Sequence, residues 1–176
     1  MIEQKYFQSI LARSDINEHL QTLYLYAKKC DFITEFGVRD VVSTWAFANA
    51  RPKSLVCVDI KKSKNVDEFL SICSSENVNA KFVLSNTLEI TIEPTDLLFI
   101  DTLHNYSQLI GELSRHSSSV SKYIIMHDTS TYGERDEVGN GCGLKRAISE
   151  FLVSNKDWFI KETFTNNNGL TVLERV

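Results

Sequence analysis

Two stretches of this 176-residue chain end in side chains able to move protons or hold a metal. Leu97-Leu98-Phe99-Ile100 leads into Asp101-Thr102-Leu103-His104, and Tyr123-Ile124-Ile125-Met126 leads into His127-Asp128-Thr129. Each apolar run has the length of a buried strand, whereas the carboxylates and imidazoles that follow belong at the rim of a sheet. Adjacent parallel strands would bring Asp101, His104, His127 and Asp128 to one carboxyl-terminal rim, where open α/β sheets place ligands and chemistry. A histidine there titrates near neutrality and can take a proton from a hydroxyl as its oxygen reacts. Asp101 and Asp128 could share a hard cation such as Mg²⁺, and His127 beside them would favour a softer divalent metal. The plainer readings are a solvated or helix-capping His104 and an Asp128 that caps its own turn with Thr129.

A second constellation lies upstream. Glu35-Phe36-Gly37 closes one short apolar segment and Asp59 closes the next. In doubly wound folds a glycine at the first such turn lets the backbone approach a nucleoside, and a carboxylate about 20 residues further on accepts both ribose hydroxyls. Gly37 and Asp59 have that separation, although each alone is equally an ordinary turn residue. An NAD-dependent oxidoreductase is the competing Rossmann reading, but Gly37-Val38-Arg39-Asp40-Val41-Val42 supplies only the first glycine of G-x-G-x-x-G, and Asp40 would repel phosphates. A cofactor without phosphate tolerates this turn better. Ser-His-Asp hydrolysis lacks its G-x-S-x-G elbow. His19 and His116 are read as helix-surface residues without chemistry.

The elements that must position these residues follow from hydrophobic periodicity. After Ser14-Asp15, the positions Ile16, Leu20, Leu23 and Ala27 predict a helix to about Lys29, so residues 1–30 read as an N-terminal helical cap. Phe32-Ile33 leads into Glu35-Phe36-Gly37 as a strand and turn, and a helix opened by Asp40 or Ser43 runs until Pro52 stops it. Strands are predicted over residues 54–60, 80–84, 96–101 and 122–127, with helices over 66–73 and 106–116 and another carrying Leu144, Ala147, Ile148, Phe151 and Leu152. Tyr24, Tyr26, Trp45, Phe47 and Phe69 sit at helical spacings and read as core. Residues 129–143, with Gly133, Gly139, Gly141 and Gly143, read as a mobile active-site loop. The chain closes as two β-rich runs joined by Asn166-Asn167-Asn168-Gly169, an antiparallel hairpin. The alternation predicts an α/β, doubly wound, Rossmann-like sheet with helices on both faces.

With 43% hydrophobic and 24% charged residues, the chain can build one sizeable core, and no linker divides residues 1–176 into two domains. A net charge of −4 argues against nucleic acid as a partner. No segment approaches the ~20 apolar residues that span a bilayer, and no signal-peptide core is present. Four cysteines without a C-x-x-C pair, one of them Cys57 inside an apolar run, fit a reducing cytoplasm. Self-association stays open.

From about Ser14 to its end the chain resembles the class I S-adenosylmethionine-dependent methyltransferases. The resemblance is carried by Glu35-Phe36-Gly37-Val38-Arg39 with Ser43-Thr44, Val58-Asp59, Phe99-Ile100-Asp101 with His104 and Tyr106, His127-Asp128-Thr129, and the closing Asn-Gly hairpin. It is most similar to the small-molecule O-methyltransferase branch that includes macrocin O-methyltransferase and the cephalosporin hydroxylase-like proteins. The resemblance implies seven strands in the order 3-2-1-4-5-7-6, strand seven antiparallel, and methyl transfer to a hydroxyl of a small acceptor. It places Glu35, Gly37, Val38 and Ser43 around the methionine end of the cofactor, Asp59 at the ribose, Asn86 near the adenine and Asp101 beside the cofactor, with His104 as general base. Asp40 and Val41 stand where the family usually carries further glycines, and His127-Asp128 where its branch carries an acidic pair. That departure keeps a second class in view, a methyltransferase-like binding or structural subunit without turnover.

Overall fold

The computed structural model describes residues 1–139 and 141–176. Helix α1 (Ile2–Leu11), a 3₁₀ turn (Asn17–His19) and α2 (Leu20–Ala27) precede the sheet. Strands β1 (Phe32–Phe36), β2 (Ser54–Asp59), β3 (Ala80–Leu84), β4 (Thr95–Ile100) and β5 (Val120–His127) are joined through α3 (Val42–Asn49), α4 (Asn65–Ser75) and α5 (Tyr106–His116). After α6 (Leu144–Ser154), β6 (Trp158–Phe164) and β7 (Leu170–Arg175) form the closing hairpin. The seven strands lie in the order β3-β2-β1-β4-β5-β7-β6, with β7 antiparallel to both neighbours and the first five strands parallel. That is the doubly wound sheet predicted above.

The apolar runs are continuous because both sheet faces are covered. Along β4, Leu97 and Phe99 enter the core beneath α2 and α3, while Leu98 and Ile100 enter the one beneath α5 and α6. In β5, Ile125 joins the first core, and Ile124 and Met126 the second. Helix α3 is buried from Ser43 to Ala48 because α1 and α2 pack over its outer side. Its apolar residues therefore form no single stripe.

The helix expected after Ser14 begins later. The Asn17 side chain accepts the Ser14 N–H at 3.0 Å and donates to the Ile10 carbonyl at 3.1 Å, so the chain turns there before α2. His19 is buried and donates from Nε2 to the Asn166 carbonyl at 2.9 Å. His116 is buried too, bonded through Nε2 to the Thr87 carbonyl at 2.7 Å and edge-on to Phe36. Neither is the surface histidine expected from its helix. Of the aromatic residues read as core, Tyr26, Trp45, Phe47 and Phe69 are buried, and Tyr24 packs partly buried against them.

The hairpin turn is tied to the far end of the chain. Asn167, Asn168 and Gly169 all have positive φ (43°, 71° and 93°), a conformation Asn and Gly tolerate best. Asn167 accepts the Glu18 N–H at 3.0 Å and donates to the Ser14 carbonyl at 3.0 Å, while the Asn168 carbonyl accepts from Ser130 and Thr131. The turn thus braces both the segment before α2 and the start of the loop after β5.

Candidate functional site

A cleft of about 600 Å³ opens at the carboxyl ends of β1, β2 and β4. Of the residues singled out from sequence, Gly37, Val38, Ser43, Asp59, Asn86, Asp101 and His104 line it. His127 and Asp128 are buried beside it, and Glu35 lies beneath it.

The turn after β1 forms its floor. Gly37 has φ of 83°, and a Cβ there would fall 1.9 Å from the Asp101 carbonyl oxygen, so only glycine lets this turn meet the end of β4. Arg39 and Val41 also have positive φ, 42° and 68°. Left-handed backbone at a β-branched residue is strained and persists only where its surroundings enforce it. The Val41 N–H is bonded to the Val38 carbonyl at 2.8 Å, and Asp59 holds the residues just before it. Its Oδ2 accepts the Val38 and Arg39 N–H groups at 2.8 and 3.0 Å, and its Oδ1 accepts the Lys61 N–H at 2.9 Å. The left-handed backbone therefore persists at Arg39 and Val41 without the glycines, in a turn held at Val38 and Arg39 by a carboxylate that also faces the cleft.

Glu35 does not reach the cleft surface. It is fully buried and accepts from Ser43 Oγ at 2.6 Å, and its Oε2 has no hydrogen-bond partner among the described residues. Burial pushes its pKa up to about 7 against the bonds that favour its charge. Its route to a ligand is through Ser43. On the other wall, Asn86 accepts from Leu88 N–H and donates to Glu89, both at 3.0 Å, so it also shapes its own turn. Beside it the buried carboxylate of Glu112 accepts from Thr87, Thr102 and Gln108, and burial raises its pKa.

Asp101, His104, His127 and Asp128 converge as β4 and β5 require. His104 Nε2 lies 2.9 Å from Asp128 Oδ2 and 3.4 Å from Asp101 Oδ1. His127 Nδ1 lies 3.1 and 3.4 Å from the same two atoms, and its Nε2 donates to the Asn167 carbonyl at 3.1 Å. Burial opposes charge on both rings, but hydrogen bonds and the charges of Asp101 and Asp128 outweigh it and lift both pKa values to about 10. The imidazoles in turn hold Asp101 and Asp128 below the usual carboxylate range despite burial.

The donor set suits a cation. With Nε2 of His127 donating to a carbonyl, its Nδ1 faces two carboxylate oxygens and needs either a proton or a metal between them. Among the described residues the buried Asp128 Oδ1 has no hydrogen-bond partner, and the buried His127 Nδ1 has only the two carboxylate contacts at 3.1 and 3.4 Å. One ligand atom each from Asp101, His104 and Asp128 lies within 4.8 Å of the others. Asp128 itself has φ of 61°, a strained conformation of the kind that gathers at functional sites.

Ile60 and Gln108 on the cleft wall carry no sequence motif, while Arg39 and Leu103 stand in the motifs without a role of their own and Glu137 enters only as part of a polar loop expected to flank the rim. Ile60 and Leu103 are 67% and 48% exposed, apolar side chains left at the cleft mouth just past two strand ends. That position was their available signal. Glu137 sits in the loop 129–143, whose residue 140 lies outside the described residues, and no periodicity marks it.

No protein-family model matches the sequence, and no curated protein does. Solved structures do match. A Corynebacterium glutamicum protein superposes with a TM-score of 0.72 at 13% identity, over 99% of this chain and 89% of its own. The O-methyltransferase TomG of Streptomyces achromogenes, involved in tomaymycin synthesis and solved with S-adenosylmethionine, gives 0.67 at 17% identity, over 94% and 82%. The Podospora anserina methyltransferase PaMTH1, solved with S-adenosylhomocysteine, gives 0.66 at 14% identity, over 99% and 87%. The chain has the fold of these methyltransferases.

Proposed function

We propose that this protein transfers a methyl group from S-adenosylmethionine to a hydroxyl oxygen of a small molecule. The observation that carries the reading is the placement of one cleft between the turn after β1, closed by Asp59, and the Asp101–His104–Asp128 cluster. The donor is a sulfonium cation without phosphates, matched to a wall on which Asp40, Asp59, Asp101 and Glu137 outnumber Arg39 and Lys61. Asp59 Oδ1 has one lone-pair site left for a ribose hydroxyl, Ile60 and Leu103 offer apolar surface to a base, and Asn86 stands beside them. Gly37, Val38 and Ser43 line the methionine end, with Glu35 acting through Ser43.

In the reaction the acceptor oxygen attacks the methyl carbon, the carbon–sulfur bond breaks, and the electron pair stays on sulfur as a neutral thioether. The hydroxyl proton must leave, and His104 is the group placed to take it. Its two ring nitrogens face carboxylates, so it acts as a base only after releasing the proton they hold on it. A divalent ion such as Mg²⁺, held by Asp101 and Asp128 with His104 or His127, would supply Lewis acidity that lowers the hydroxyl's proton affinity. Alignment of the acceptor oxygen with the methyl carbon between the cleft walls would by itself contribute substantially to rate.

Calorimetric titration with S-adenosylmethionine, S-adenosylhomocysteine and NAD tests the cofactor. Binding of the first two and not the third is expected; preference for NAD reverses the assignment. The binding-subunit reading is favoured by one observation, the loss of glycine at two left-handed positions, Arg39 and Val41. Labelled cofactor incubated with hydroxylated small molecules separates it from the enzyme, since a binding subunit transfers no label.

A further inference from the structure

The ring of His104 is held on three sides, and only one side belongs to the strand-end cluster. Nε2 faces Asp128 and Asp101, while Nδ1 lies 2.8 Å from Glu137 Oε2. The flat face stacks on Tyr132 with centroids 4.8 Å apart and planes 4° from parallel. Glu137 also donates its backbone N–H to the His104 carbonyl at 3.2 Å, so side chain and main chain approach the same residue. Glu137 and Tyr132 both come from the loop after β5, anchored on the start of α6 by the bonds from Leu144 N–H to the Tyr132 carbonyl and Lys145 N–H to the Gly133 carbonyl. His104 stands on the loop after β4, so the orientation of its ring about two side-chain torsions is set by these contacts and not by a strand. A half-turn of the ring would put Cε1 and Cδ2 where Nε2 and Nδ1 now stand, losing the contacts to Asp128 and to Glu137 together.

We propose that Glu137 is a positioning residue for His104, accepting its Nδ1–H and, together with the Tyr132 ring, keeping Nε2 turned to Asp101, Asp128 and the acceptor hydroxyl. The role rests on the reading of His104 as proton acceptor in methyl transfer. An imidazole whose second nitrogen donates to a carboxylate is fixed in both tautomer and orientation, and loss of such a partner commonly costs 10- to 100-fold in activity or metal affinity. The loop after β5 thereby becomes part of the base rather than a cover over it. A Glu137 that merely stabilised the loop would leave the state of the His104 ring indifferent to its carboxylate.

The test reads the ring directly. Long-range ¹H–¹⁵N spectra of the imidazoles are recorded at one pH for the wild type and for Glu137→Gln, Glu137→Ala and Glu137→Leu, with His104 assigned by the signals lost in His104→Gln. A slowly exchanging, hydrogen-bonded Nδ1–H is expected for His104 in the wild type. It should persist in Glu137→Gln, which keeps an acceptor oxygen, and vanish in the Ala and Leu variants while the buried His19 and His116 signals stay in place as proof of folding. Unchanged His104 nitrogens in either the Ala or the Leu variant overturn the proposal. In a methyl-transfer assay the Ala variant should lose at least about tenfold in kcat with the KM for S-adenosylmethionine unchanged; a loss confined to that KM would instead make Glu137 a cofactor ligand. Failure of the wild type to bind S-adenosylmethionine would sink the methyltransferase reading, while the ring spectra would still decide the contact.

Discussion

His104 and His127 direct ring nitrogens at the same two carboxylates, and this shared partnership decides what each side chain can do. Replacing His104 by Ala should lower turnover by about 10²–10⁴ and leave cofactor affinity close to wild type, because proton transfer acts in the transition state. Full activity of that variant in the presence of a chelator would leave orientation as the source of rate. Asp128→Asn should abolish any dependence of turnover on Mg²⁺ or Mn²⁺, read as rate against added ion. Asp59 needs a gentler probe than Ala, since removing its carboxylate also frees the Val38 and Arg39 N–H groups. Asp59→Asn keeps one acceptor oxygen for Val38 and Arg39 while giving up the Lys61 N–H bond and weakening charge-assisted bonds to a ribose, and a loss of roughly 1–3 kcal/mol in cofactor binding with a smaller fall in melting temperature than Asp59→Ala is expected from calorimetry and thermal unfolding. The meeting of Asp101, His104, His127 and Asp128 was legible because two apolar runs each ended in chemistry and parallel neighbours must share a rim. Glu137 was not, since a loop residue's partner 33 positions away leaves no local pattern.

Elements place those residues through a few contacts that admit no substitute. Where β1 turns into α3, Gly37 sits against the end of β4 with no room for a Cβ. Gly37→Ala should therefore destabilise the fold by at least about 2 kcal/mol, combining left-handed strain with a backbone clash, and should abolish cofactor binding. Urea unfolding and calorimetry measure the two effects; a variant of normal stability that still binds cofactor would show that the turn can move. Strands and helices were readable from the sequence because periodicity records which face is buried. The early turn at Asn17 and the left-handed Arg39 and Val41 were not, because they depend on side-chain bonds and on Asp59, which lies one strand further on. His19 and His116 were misread for the same reason: helical spacing assigns a face, but the carbonyls of Asn166 and Thr87 that receive these rings come from distant turns.

At the scale of the whole molecule, the ionisable groups inside the fold make its stability depend on pH with a sign that can be worked out. His104 and His127 titrate at about 10 when folded and near 6.5 when free, so their contribution is complete below pH 6.5 and is lost as pH rises toward 10. Glu35, raised to about 7, acts in the same direction, favouring the folded state below its free value of 4.5 and losing that contribution by about pH 7. Asp101 and Asp128 are lowered, so their share is present above pH 3.8 and is lost on further acidification. His19 and His116, whose burial opposes charge, weaken the fold as pH falls below 6.5. The melting temperature should therefore decline from near pH 6.5 toward pH 10, and the slope of that basic limb belongs mainly to the His104 and His127 pairings. In Asp128→Asn both rings lose a charged partner at 2.9 and 3.1 Å, and the difference in melting temperature between pH 7 and pH 9.5 should shrink. Thermal unfolding of both proteins across that range measures it, and an equally steep limb in the variant would place the titrating groups elsewhere. The cluster that is read as the reaction centre is then also a determinant of where on the pH scale this sheet is most stable, because the carboxylates that hold the imidazoles at the rim are the same groups that bind β4 to β5 there.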